Sequence, residues 1–172
     1  MDKNIFIEKY NNANVNINKE EKLKIELKSI DNKPIDIPGI RNLIIVIEEC
    51  SELIQVLSDK NHDRFSLIEE MSDVEQGLDY IEIICNLKID KNYKIIESYN
   101  TELLIYNLAC LQQCLTKYLR GKNNIDFLQF MLNKIFSLLQ IAKMHYGISN
   151  DEINKAMNVK IDRLNEINGV YK

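Results

Sequence analysis

The chain has 172 residues, of which 45% are hydrophobic, and a formal net charge of -4 at pH 7. This is the size of one globular domain with a substantial core. The acidic balance excludes a general attraction to nucleic acid, and no Lys/Arg run is long enough to indicate a membrane surface. We expect a cytoplasmic protein, because the N-terminus lacks the layout of a secretory signal and no apolar run approaches a membrane span.

The composition favours an all-α protein. Only five glycines and two prolines interrupt the long Leu/Ile-rich stretches, and this scarcity argues against a sandwich or a barrel. The four cysteines have no CxxC spacing, so we expect reduced thiols that serve as small buried hydrophobes.

Residues 1–37 form an N-terminal extension that is richer in Asn and Lys than the rest of the chain. Apolar and polar residues alternate over 23–27, and a turn-like segment follows at 31–34, so the extension favours a small β-hairpin. The alternative is a short helix capped by Asn18 with Glu21.

The rest of the chain, 38–172, is predicted to be one helical bundle of about five helices. Apolar periodicity, together with Gly121 and Gly147 as stop signals, places these helices at about 39–58, 64–88, 97–120, 125–146 and 150–167. Segment 97–147 resembles the preceding pair of helices in its apolar rhythm. A degenerate second helical hairpin and a chance similarity of two amphipathic pairs explain this resemblance equally well.

Two pairs of carboxylates occupy unusual positions in the first two predicted helices. Glu49 and Glu52 are three residues apart, as are Glu70 and Asp73, so each pair shares one helix face. Helical geometry places both pairs beside apolar residues, at the edge of the core. Uncompensated charges there would cost several kcal/mol each. All-oxygen ligands on two adjacent helices suit Mg²⁺, which takes carboxylates and substrate phosphate oxygens as ligands.

Other candidate ligands receive a simpler interpretation. Glu75, Asp79 and Glu82 follow the opposite face of the second predicted helix, where we expect a solvated stripe. His62 and His145 lie outside any Glu-x-x-His motif, so a di-iron bundle is not expected.

The two halves of the acidic pattern, Glu-Glu-x-x-Glu at 48–52 and Glu-x-x-Asp at 70–73, together resemble a known signature. It is that of the all-α nucleoside triphosphate pyrophosphohydrolases, which include MazG-like proteins, dimeric dUTPases and phage relatives. The resemblance covers about residues 40–88. Lys160 and Arg163 in the last predicted helix add weaker support, since relatives often carry a Lys and an Arg near the substrate phosphates.

The resemblance implies Mg²⁺-dependent hydrolysis between the α and β phosphates of a nucleotide, with release of a nucleoside monophosphate and pyrophosphate. Mn²⁺ would be a possible substitute. By the same resemblance the metal ligands would be Glu49, Glu52, Glu70 and Asp73. Glu52 or Glu49 would be the general base. Glu48, about a quarter-turn off the inner face, would support the ligands or hold an extra ion.

Basic residues at two places are candidates for phosphate binding: Lys160 with Arg163, and Lys117 with Arg120. Short members of the family complete their bundle from identical chains, whereas a degenerate second hairpin could complete it within one chain, as in the larger dUTPase-like relatives. We expect a homo-oligomer, with a dimer favoured, that acts on a nucleotide and binds neither nucleic acid nor a membrane.

Two other functions compete with the nucleotide hydrolase. One is a non-catalytic helical interaction protein in which the acids hold a structural metal. The other is a hydrolase of a different phosphorylated metabolite on the same scaffold. The complete set of acids on the inner face disfavours the first, because a structural site would not require all of them.

Overall fold

The structure, a computed structural model, describes residues 3–16, 39–122 and 124–170. Within these ranges the chain has six helices and no strand. They are α1 (Lys3–Asn12), α2 (Ile40–Ser58), α3 (Arg64–Ile84), α4 (Thr101–Leu119), α5 (Ile125–Tyr146) and α6 (Asn150–Val170). The predicted all-α helical bundle is confirmed, and each of the five predicted helices corresponds to one of α2 to α6.

Helix α1 is an addition to the predicted five and lies within the N-terminal extension. Phe6 and Tyr10, one turn apart, are buried on its inner face, and α1 packs against α6. Tyr10 also meets Phe65 edge-on, with ring centroids 5.5 Å apart. A helix of only 10 residues is marginal alone, so tertiary packing stabilises it. The predicted β-hairpin falls within 17–38, outside the described residues.

Side-chain caps mark where α3 and α4 begin. Asp63 accepts hydrogen bonds from the backbone N–H groups of Phe65 and Ser66 at the start of α3, at 3.0 and 3.1 Å. Asn100 does the same for α4, where its Oδ1 accepts from the N–H of Leu103 at 2.6 Å. Each cap satisfies backbone donors that have no partner inside the helix.

Helices α2 and α3 form an antiparallel hairpin with the most extensive contact in the described structure. Gly77 of α3 allows this close approach, because a Cβ atom there would lie 3.0 Å from Val46 of α2. At the open end of the hairpin, Gly39 lies in the same way against Ile84. The glycine contact therefore brings together the two helix faces that carry the acidic pairs.

The remaining helices surround this hairpin. Helix α4 packs against α2 and α5, whereas α6 packs against α3 and α1. Helix α5 is long and apolar enough to cross a membrane by length and composition, but its inner residues Leu128, Leu132 and Ile135 are fully buried among the other helices. Helix α6 thus lies along the acid-bearing side of α3.

The opposite face of α3 is less exposed than the sequence indicates. The Nζ atom of Lys143 lies 2.5 Å from Oε1 of Glu75, and both side chains are largely buried. Lys143 also donates to Oδ1 of Asn150, the first residue of α6. The expectation of a solvated stripe is therefore wrong for Glu75, whose charge is paired and joins α3 to α5.

Candidate metal centre

Three of the four predicted metal ligands converge on one point. Glu49 of α2 and Glu70 and Asp73 of α3 each offer a carboxylate oxygen, and these three oxygens lie within 4.8 Å of one another. The convergence follows from the sequence, since the i, i+3 spacing places Glu70 and Asp73 on the face of α3 that meets α2.

These carboxylates line a cavity of about 650 Å³ between α2, α3 and α6. All four predicted ligands line it, because Glu52 is also in its wall, although Glu52 is more exposed and lies outside the three-oxygen cluster. Glu48 lies at the exposed edge of the same cavity. The acidic residues of the wall are Glu48, Glu49, Glu52, Glu69, Glu70 and Asp73.

Two of the predicted basic residues belong to the same cavity. Lys160 and Arg163, one turn apart on α6, lie in its wall together with the acids. The other pair lies elsewhere. Lys117 and Arg120, at the C-terminal end of α4, do not line this cavity, and the Lys117 ammonium instead donates to Gln113 on its own helix at 3.2 Å.

Lys160 makes two ion pairs with the ligand candidates. Its Nζ lies 2.9 Å from Oε1 of Glu49 and 2.7 Å from Oδ1 of Asp73. Burial alone would lower the pKa of Lys160, but the charges of Asp73 and Glu49 outweigh burial and hold that pKa above its ordinary value. Lys160 therefore stays protonated and places a positive charge within the acidic cluster.

Glu70 is a partly buried carboxyl that lies among other acids of the cavity. Burial, followed by the negative charges of Asp73 and Glu52, raises the pKa of Glu70 to about 8. Its Oε2 atom is buried and has no hydrogen-bond partner in the described structure. Burial also raises the pKa of Glu49, although the Lys160 ammonium opposes this effect.

The donor set fits a hard divalent cation. It consists of carboxylate oxygens, the ligand type that Mg²⁺ and Mn²⁺ accept, and the partnerless Oε2 of Glu70 is a buried oxygen that a cation would satisfy. Neither histidine lines the cavity. His62 and His145 instead pack edge-on against Tyr146, with ring centroids 5.8 and 4.8 Å away.

The cavity wall contains residues that are absent from the sequence predictions, among them Glu69 and Phe6. Glu69 is half-buried, and burial together with the charge of Asp73 raises its pKa. A signal for Glu69 exists in the sequence, because Glu69-Glu70 doubles the acid in the same way as Glu48-Glu49. Phe6, only 2% exposed, adds an apolar wall from α1. No local pattern indicates that contact, since it depends on α1 docking beside α6.

Comparison of the chain with protein-family models gives no match. Comparisons with curated proteins and with solved structures give no match either.

Proposed function

We propose that this protein is a Mg²⁺-dependent nucleoside triphosphate pyrophosphohydrolase that converts a nucleotide to its monophosphate and pyrophosphate. The observation that carries the proposal is the meeting of three carboxylate oxygens from α2 and α3 with Lys160 and Arg163 of α6 in one cavity. A polyphosphate bound with its metal ion needs both kinds of group, because anionic ligands hold the cation and basic side chains neutralise the phosphates.

Each residue has a role in this proposal. Glu49, Glu70 and Asp73 would hold the cation, with Glu52 completing the set or accepting a proton. Bound Mg²⁺ supplies charge neutralisation on the phosphates and lowers the pKa of a coordinated water. Glu52 suits the general base better than Glu49, because it lines the cavity outside the three-oxygen cluster and has no ion pair with Lys160 among the described contacts.

The basic side chains and the cavity complete the proposed mechanism. Lys160 and Arg163, on one face of α6, would orient the phosphate chain for in-line attack. Phe6, with Ile45 and Val56, provides the apolar part of the wall beside the charged groups. The volume of about 650 Å³ lies within the usual range for small-molecule sites.

The direct test is a substrate panel. The full chain is incubated with Mg²⁺ and canonical and modified nucleoside triphosphates, and pyrophosphate release is measured. We expect release from at least one nucleotide, its loss in Glu49→Gln, and its retention in Glu102→Gln, which removes an exposed carboxylate at the start of α4.

Other outcomes favour the competing functions. Release of phosphate or pyrophosphate only from a non-nucleotide compound would favour the metabolite hydrolase. No release from any compound, together with metal-dependent stabilisation of the fold, would favour the structural metal protein. The expected cytoplasmic homodimer remains part of the proposal, and sedimentation equilibrium of the purified chain tests its oligomeric state.

A further inference from the structure

The Lys160 ammonium and a divalent cation would compete for the same two carboxylates. Lys160 contacts Oε1 of Glu49 at 2.9 Å and Oδ1 of Asp73 at 2.7 Å. Glu49 and Asp73 also belong to the three-oxygen cluster, whose atoms lie within 4.8 Å of one another. An Mg²⁺ ion needs carboxylate oxygens at about 2.0–2.1 Å, so an ion held by these carboxylates would lie within a few Å of the ammonium.

This arrangement sets two positive charges against each other in a partly buried site. The Lys160 side chain is 28% exposed, and those of Glu49 and Asp73 are each 12% exposed, so solvent screens the repulsion only weakly. The ammonium can leave the carboxylates favourably if another anion receives it. Arg163, one turn further along α6, lines the same cavity, so a phosphate there would meet both basic side chains.

We propose that Lys160 is an exchangeable counter-cation that gives up Glu49 and Asp73 to the metal when a polyphosphate takes the ammonium. This inference rests on the proposed function and deepens it by coupling metal loading to substrate binding. Metal and polyphosphate then strengthen each other's binding, and by linkage the coupling is reciprocal. Lys160 is a positioning residue in the free protein, where it holds two ligands of α2 and α3 together.

Direct measurement of Mn²⁺ binding tests this role without relying on activity. The full chain is titrated with Mn²⁺, with free ion followed by electron paramagnetic resonance, first alone and then with an α,β-imido nucleoside triphosphate. Protein-free titrations give the chelation by the analogue. We expect Lys160→Met to bind Mn²⁺ about tenfold more tightly than wild type when no nucleotide is present, and to lose part of the tightening that the analogue causes.

Three matched variants separate the effect of the Lys160 ion pairs on Mn²⁺ affinity from the effect of net charge. Lys155→Met removes a lysine of the same helix that lies over the Tyr10 ring and does not line the cavity, so its Mn²⁺ affinity should equal that of wild type. Arg163→Met removes the same charge from the same cavity and should tighten Mn²⁺ less than Lys160→Met does. Lys160→Arg keeps the charge and should keep the weak affinity. Circular dichroism verifies that each variant is helical, and the Arg variant still tests the proposal if the Met variant does not fold.

The sign of the change decides the result. If Lys160 only holds the acids in place, Lys160→Met binds Mn²⁺ more weakly or equally, and the exchange is wrong even though wild type still releases pyrophosphate. If no variant binds Mn²⁺ and no nucleotide is hydrolysed, the proposed function fails together with this inference. An equal gain in Mn²⁺ affinity in Lys160→Met and Arg163→Met would also overturn the proposal, because the loss of one positive charge from the cavity would then explain the tighter binding.

Discussion

The bundle contains two helical hairpins of similar length, α2 with α3 and α4 with α5. They differ in whether their inward positions carry acidic or apolar side chains. In the first, Glu49, Glu70 and Asp73 meet at a cavity. In the second, the corresponding helices fill their inward positions with apolar side chains, and Leu132 and Ile135 have no exposed surface. The same architecture therefore contains a charged interior in one half and an ordinary core in the other.

One buried polar residue of the second hairpin, Asn107, clarifies the difference. Asn107 occupies the position that Glu49 has in the similar apolar pattern, and it is buried with its Nδ2 donating to the backbone oxygen of Leu103 at 2.7 Å. A neutral amide can satisfy itself on its own helix, whereas the Oε2 of Glu70 has no such partner. A buried carboxylate without a partner is destabilising, so the proposed cation site would cost the first hairpin stability as long as no cation is bound.

The largest effects should come from Glu70. We expect Glu70→Gln to reduce pyrophosphate release at least about 100-fold, because it removes a charged oxygen from the proposed ligand set. The same variant should unfold at a higher temperature than wild type in EDTA at pH 9, where the wild-type carboxyl, with its pKa raised to about 8, is largely ionised. Initial rates and thermal unfolding by circular dichroism measure the two effects.

The sign of the pH dependence follows from the raised pKa of Glu70. A carboxyl whose folded-state pKa exceeds the unfolded value of about 4.3 costs the fold stability progressively as the pH rises from that value to the folded-state pKa, because only the unfolded chain releases the proton in this range. The stability gain of Glu70→Gln over wild type should therefore grow from pH 6 to pH 9. A variant that loses both activity and stability at pH 9 would contradict the view that function and stability oppose each other here.

Leu132→Ala tests whether the second hairpin contributes stability without contributing to the cavity of the first. Leu132 is fully buried in α5, and its truncation should lower the free energy of unfolding by about 2–5 kcal/mol through lost burial and a residual cavity. The cavity of the first hairpin is not lined by α5, so the rate per folded molecule should stay near wild type. Urea unfolding and active-site-normalised rates test this, and a large fall in the rate of folded protein would mean that the hairpins are functionally coupled.

The sequence predicts the parts of the structure that depend on local periodicity. Helices α2 and α5 begin and end within one residue of their predicted limits, because apolar spacing and glycine signals are local properties. The meeting of Glu49 with Glu70 and Asp73 is also predictable in part, since two adjacent antiparallel helices with acids on their inner faces bring acids near one another, although Glu52 on the same predicted face lies outside the cluster.

Features that depend on distant contacts are not predictable in this way. Helix α1 is missed because its stability comes from Phe6 and Tyr10 packing against the bundle and not from its own sequence. The ion pair of Glu75 with Lys143 joins residues 68 positions apart, so the pattern of α3 alone assigns Glu75 to solvent. The position of Lys160 between two acids likewise depends on how α6 packs against α3.

The smallest predicted effects on stability come from replacing the N-cap residues. The N-cap of the first hairpin is an ionisable aspartate, whereas that of the second is a neutral asparagine. Asp63 caps α3 and Asn100 caps α4, and replacement of either by Ala should cost about 1 kcal/mol at pH 7. Partial burial alone would raise the pKa of Asp63, but hydrogen bonds from Lys3 and Ser66 and the charge of Lys3 hold it well below its ordinary value. Asn100 has no charge to lose.

The pH dependence of these two costs should therefore differ. A lowered folded-state pKa gives stability that is fully present above the unfolded value of about 3.9 and is lost as the pH falls towards the folded-state pKa. The cost of Asp63→Ala, measured by urea unfolding, should be constant from pH 7 to pH 5 and smaller at pH 3, whereas that of Asn100→Ala should be the same throughout. Equal behaviour of the two variants at pH 3 would show that the cap of α3 acts through geometry alone, without the charge that Lys3 and the N–H groups of α3 stabilise.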